Sequence, residues 1–169
     1  MFKRSPALVL ELCKAGVIRP GKGGIAVDTA IIAAEPNLRS FVIGEWASLI
    51  QAAGAEAVAG IAPQGAAYAA LLAEKIGVPF AVIECSGEPC TVYGKVRGRR
   101  VALVNDTSEN EPHILNGMKA LTSSGARVVL VSVIIDADSA TLKRSLRTHY
   151  APLVRASDIA AICSSAFGG

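Results

Sequence analysis

Two short stretches hold the residue types that could do chemistry. In VALVNDTSENEPHILNGMKAL, residues 101 to 121, Asn105 and Asp106 stand side by side at the end of an apolar run. Adjacent acceptors of this kind match the two hydroxyls of a ribose. Thr107, Ser108 and Asn110 add hydroxyl and amide donors beside the start of a helix, where free backbone N–H groups and the helix dipole attract a phosphate. Glu109 and Glu111 interrupt them. A carboxylate about 4 to 6 Å from a phosphate costs on the order of 1 to several kcal/mol. Helix capping also accounts for part of the pattern, with Asn110 as N-cap and Pro112 in the first turn, and it is compatible with a ligand.

The second stretch is IAPQGAAYA, where a strand runs through Pro63, Gln64, Gly65 and Ala66 directly into a helix whose early residues are small. Exposed N–H groups and small side chains let an anion approach closely. A tight strand-to-helix turn with no ligand reads equally well.

These loops need a scaffold, and the hydrophobic pattern supplies one. Ser5 and Pro6 open a helix that stops at Gly16; RPGKGG is a loop; IAVD at 25 to 28 is a short strand. Pro36 opens a helix in which Leu38, Phe41, Val42, Trp46, Leu49 and Ile50 recur at helical spacing before Gly54. The chain then alternates: strand 55 to 62, helix 65 to 77, strand 79 to 84, an edge strand in TVYGKV, strand 100 to 105, helix 112 to 124, strand 126 to 135 and a short helix near 139 to 147. Continuous apolar strands between helices predict an α/β fold with a doubly wound parallel sheet, built from three β-α-β crossovers in a row. Ligands of such sheets bind beyond the carboxyl ends of the strands.

At 169 residues, 51% hydrophobic and 18% charged, the chain is expected to form one domain, residues 1 to 169. Aromatics make up only 5%, so Ala, Val, Leu and Ile must build the core, with Trp46 and Tyr68 packed in it. A net charge of +3 is too small to imply a nucleic-acid partner. The clusters Lys95, Arg97, Arg99, Arg100 and Lys143, Arg144, Arg147 read as solvated surface. No apolar run is long enough to span a bilayer, and Glu11 interrupts the apolar N-terminal part, so the protein is expected to be cytoplasmic with no membrane partner. Cys13, Cys85, Cys90 and Cys163 lack metal-ligand spacing and read as thiols; a Cys85–Cys90 disulfide across CSGEPC is the alternative, and needs an oxidising or hyperthermophilic setting. His113 and His149 read as surface or capping residues; Asp136 and Asp138, after a strand end, could contact a base, but capping of the next helix is the favoured reading.

The order of GIAVDTAIIAAEPNL, AVAGIAPQGAAYAALLAEKIGVPFAVI and GRRVALVNDTSENEPHILNGMKALTSSGARVVLVSVIID resembles the type I phosphoribosyltransferases, and within them orotate phosphoribosyltransferase, over roughly residues 5 to 137. The resemblance implies a Rossmann-like phosphoribosyltransferase fold and transfer of phosphoribose from phosphoribosyl pyrophosphate to a nucleobase. It also implies Mg²⁺ with the pyrophosphate, touched indirectly by Asp106, and a homodimer. In that family two adjacent acids bind the ribose hydroxyls, a Thr/Gly/Ser run wraps the 5′-phosphate, and the turn matching APQGA binds pyrophosphate through its backbone. Here Asn105 replaces one acid, TSENEPH stands where the phosphate is wrapped, Glu84 falls near an expected lysine, and only Lys95 remains in the flexible loop. Two functions follow: a phosphoribosyltransferase of reduced or lost activity, or a non-catalytic nucleotide or sugar-phosphate binding or regulatory protein.

Overall fold

The computed structural model describes residues 5–21, 24–137 and 140–159. Helix α1 (Pro6–Lys14) begins where sequence predicts it, with Ser5 accepting a hydrogen bond from the Leu8 N–H. The stretch read as a loop is different. β1 (Ile18–Gly21) and β2 (Gly24–Val27) pair antiparallel, so Arg19, Pro20 and Gly21 lie in a hairpin strand; Lys22 and Gly23 fall outside the described residues. A short helix α2 (Ala30–Ala34) follows, then α3 (Pro36–Ala52), which starts at its proline and is followed by Gly54 at φ +68°.

The remaining elements are β3 (Ala57–Ile61), α4 (Gln64–Ile76), β4 (Phe80–Glu84), β5 (Thr91–Tyr93), β6 (Arg100–Thr107), α5 (Glu111–Ser123), β7 (Arg127–Asp136), α6 (Ala140–Ser145) and β8 (Val154–Arg155). Six of the strands form a sheet in the order β5-β4-β3-β6-β7-β8. All pairings in it are parallel except β4 with β5 at the edge. Helical crossovers join β3 to β4, β6 to β7 and β7 to β8, but β4 reaches β6 through the antiparallel β5 with no helix between. The three crossovers are therefore not consecutive.

Strand alternation divides the core in two. Ala102 and Val104 of β6 and Leu130 and Ile134 of β7 face a layer with Leu8, Leu12, Trp46, Ile50 and Leu72. Val101, Leu103, Val131 and Val133 face the opposite layer, with Ile114, Leu121 and Leu142. Helices thus cover both faces, which is why the central strands read as unbroken apolar runs. Trp46 and Tyr68 are buried as expected, with ring centroids 5.7 Å apart, and the indole N–H donates to Ser132 Oγ at 2.8 Å.

β3 has β4 on one side and β6 on the other, so the strand order reverses beside it. The loops leaving β3 and β6 flank that reversal, where a crevice opens in sheets of this kind.

Candidate functional site

The turn after β3 is set by two glycines. A Cβ on Gly60 would lie 1.9 Å from the Gly65 carbonyl oxygen, because the turn folds back over the strand it has left. A Cβ on Gly65 would lie 2.8 Å from both Asn105 Oδ1 and the Val104 carbonyl oxygen, so α4 starts hard against β6. The Ala62–Pro63 peptide is cis, and the Ala62 N–H donates to the Ile83 carbonyl. No side chain caps α4. The N–H groups of Gln64, Gly65 and Ala66 are in its first turn, where no helical carbonyl can accept them. Gln64 is exposed and Ala66 half-buried. The turn therefore offers backbone donors and no carboxylate.

The loop after β6 is built otherwise. The strand continues through Asn105 and Asp106 to Thr107, which pairs with Ile135 of β7. Asn105 turns its amide to the Thr107 carbonyl at 3.0 Å. Asp106 Oδ1 accepts from the Thr107 N–H at 2.9 Å and Oδ2 accepts from Thr29 Oγ1 at 2.8 Å. Tyr68 donates its hydroxyl to the Thr29 carbonyl at 3.3 Å. Burial, and secondarily the Asp106 charge, pushes the Tyr68 phenol up to about 12. It therefore stays a neutral donor through the physiological range. Thr29, from the connection between β2 and α2, was not singled out in the sequence; it lies 77 residues from Asp106 and only the hairpin fold brings the two together.

Ser108 is 1% exposed. Its N–H donates to the Ile135 carbonyl at 3.2 Å, and its Oγ donates to Asp136 Oδ1 at 3.0 Å while accepting the Ala137 N–H at 2.8 Å. Asp136 is itself fully buried, with Lys143 Nζ at 3.0 Å and Arg155 Nε at 3.9 Å from Oδ2. Burial, then the Asp136 charge, drives the neighbouring Tyr150 phenol far above its ordinary value. Asp136 is thus no surface helix cap but the anchor of a polar cluster, and Lys143 is its partner rather than simple solvated surface. Asp138 falls outside the described residues.

Asn110 occupies the N-cap position of α5, and its carbonyl accepts the N–H groups of His113 and Ile114. Its side chain does not cap; the amide Nδ2 sits 2.7 Å from His113 Nδ1. Glu109 is exposed. Glu111 is in the first turn of α5, where the positive end of the dipole favours a carboxylate. At the top of β4, Glu84 is exposed and accepts from the Tyr93 hydroxyl, a bond that raises the Tyr93 phenol above its usual value. Cys85 and Cys90 are joined in a disulfide, correcting their reading as thiols, and Cys13 remains a buried thiol. Among the described residues no group of three or more His, Cys, Asp or Glu side chains could hold a metal ion. No helix among them is long and apolar enough to cross a membrane.

A mostly parallel sheet flanked by helices, with a donor-rich turn and a polar strand end on either side of the reversal, is an architecture this chain shares with the type I phosphoribosyltransferase fold. The fold matches the crystal structure of orotate phosphoribosyltransferase from Aeropyrum pernix with a TM-score of 0.77 at 21% identity, covering 96% of this chain and 99% of that one. In sequence the chain is 29% identical over 145 residues to orotate phosphoribosyltransferase of Methanocorpusculum labreanum, covering 81% of this chain and 82% of the relative. It is 26% identical over 118 residues to that of Pyrobaculum aerophilum, covering 65% of this chain but 60% of the relative's length. No protein-family model matches the chain. The chain thus has the type I phosphoribosyltransferase fold and is similar in sequence to orotate phosphoribosyltransferases, of which it spans about 60% of the length in the Pyrobaculum protein.

Proposed function

We propose that the chain binds phosphoribosyl pyrophosphate or a related nucleotide and transfers phosphoribose to a base such as orotate slowly or not at all. The backbone N–H groups of Gln64, Gly65 and Ala66, in the turn that Pro63 opens, take the diphosphate, since they depend on geometry rather than on the side chains Gln64 and Ala66. Asp106 receives a ribose hydroxyl. Each carboxylate oxygen has two lone pairs, so this bond can coexist with those from Thr29 and Thr107. Asn105, Thr107 and Asn110 supply the remaining polar contacts.

The observation that carries the loss of turnover is Ser108. Its N–H and hydroxyl are both engaged inside the protein, so the loop has fewer donors for a 5′-phosphate, while Glu109 adds negative charge. At the leaving-group side Glu84 is exposed at the top of β4, and Lys95 lies beyond the C-terminal end of β5, toward the N-terminal ends of the parallel strands and away from the crevice. Each missing preorganised positive group costs about 10² to 10³ in rate. A non-catalytic binding or regulatory role is the limit in which transfer is nil.

Magnesium enters this reading with the ligand. Diphosphate oxygens plus a single carboxylate form an ordinary Mg²⁺ environment, to which Asp106 would contribute through water. A homodimer belongs to the same proposal, supported by the resemblance alone, and so does a cytoplasmic location, expected from the lack of a membrane-spanning apolar run.

Calorimetry with phosphoribosyl pyrophosphate, with and without Mg²⁺, tests the binding. A pyrophosphate-release assay with orotate and other common bases tests the transfer. Saturable heat with little or no release is the expected result. Brisk release would overturn the loss of turnover, and absence of heat would overturn the binding.

A further inference from the structure

The strongest unexplained feature lies at the other end of the sheet from these loops. β6 is eight residues long, so its start is roughly 25 Å from its end. At that start a cavity of about 410 Å³ is lined by Lys95, Arg97, Arg99, Ser124 and Val92, with no acidic residue in its wall. Among the described residues none of these three cations makes a carboxylate contact; the nearby Arg100, which does not line the cavity, pairs with Glu56 at 3.5 Å. The wall therefore carries three uncompensated positive charges.

The cations sit on a fixed frame. Val96 is buried, the Arg99 N–H donates to the Val96 carbonyl, the Gly98 N–H to the Gly125 carbonyl and the Arg127 N–H to the Arg99 carbonyl. Gly98 and Gly125 have φ of +74° and +84°, and a Cβ on Gly125 would lie 3.2 Å from Arg97 Cγ. The turn is thus held against the end of α5. Compensation of that helix's negative end accounts for about half a charge, not three.

We propose that this cavity binds a small anion carrying two or more phosphate groups, such as a nucleoside di- or triphosphate, at a site separate from the candidate ribose and diphosphate loops. Two or three clustered phosphates neutralise the three lining cations, and Ser124 adds a hydroxyl donor. The concavity suits a compact ligand. It has no stacking ring, because Val92 lines it while its neighbour Tyr93 turns to the opposite face of the strand, toward Glu84.

The test is titration of the full chain with inorganic triphosphate, adenosine triphosphate and a short single-stranded RNA, followed by amide resonances. Triphosphate and its nucleoside form should shift residues 92–99 and 124–127 saturably. The double substitution Arg97→Glu with Arg99→Glu should weaken that binding by about tenfold or more, while Asp106→Asn leaves it unchanged. Binding by the nucleotide alone makes the base part of the ligand, whereas equal binding makes the polyphosphate sufficient. Shifts confined to residues 62–66 and 105–110, or affinity untouched by the double substitution, would overturn the site. Salt-steep RNA binding without saturable triphosphate binding would overturn the small ligand. Unchanged amide dispersion in the double variant excludes misfolding as the cause of any loss.

Discussion

The two loops beside the sheet's reversal solve one problem in opposite ways. The turn after β3 relies on backbone: Gly60 and Gly65 have no room for a side chain, no residue caps α4, and its first N–H groups point out of an otherwise closed contact with β6. The loop after β6 relies on side chains, and those are spent inward, Asp106 on Thr29 and Thr107, Ser108 on Asp136. An anion site made of backbone survives drift in sequence, because any residue except proline donates an N–H. One made of side chains is remodelled by a few substitutions.

Substitutions should separate the loops. Gly60→Val should have the largest effect, destabilising by about 3 kcal/mol or more, since the clash is with main chain that cannot step aside. A urea midpoint lowered at unchanged slope is the readout, and a midpoint near that of the parent would mean the turn is looser than its geometry implies. Asp136→Leu on the other side should cost about 2 to 3 kcal/mol, as it leaves Ser108 and two partly exposed cations without their partner. A neutral outcome would show that the cluster under the second loop is ornamental.

The Tyr68 phenol ties both loops together through Thr29. Its pKa is raised in the fold, so its contribution is complete below pH 10 and is lost as pH climbs from about 10 to about 12. In an ultraviolet titration the Tyr68→Phe variant should lose one tyrosine that titrates near pH 12, while the still higher Tyr150 remains. Smallest is the charge effect at the second loop. Glu109→Gln with Glu111→Gln should tighten binding of phosphoribosyl pyrophosphate by about 1 kcal/mol per charge if a phosphate settles there. No change would mean the ligand leaves the loop unvisited.

How much of this was legible follows from how local each cause is. The long strands and helices were, because runs such as VALV and VVLVSVII and the caps at Ser5, Pro36 and Gly54 signal within a few residues. The strand at 25 to 28 was read and is β2, but β1, and with it the hairpin, was hidden by its Gly and Pro content, and β8, two residues long, carries no period to read. At the site the donor-rich turn was visible. The partners of Asp106 and Ser108 were not, since they lie 77 and 28 residues away and are chosen by topology. The Cys85–Cys90 bond was readable only as one of two options, for spacing permits a bridge without requiring it.

Lys143 and Arg155 come from α6 and β8, yet they meet a carboxylate at the end of β7 that in turn holds the first residue after β6. A version shortened to end just past β7 would keep every loop beside the crevice and still fail. It would strand a bare carboxylate in the interior and loosen Ser108 from beneath, so α6 and β8 are the keel on which the second loop rides.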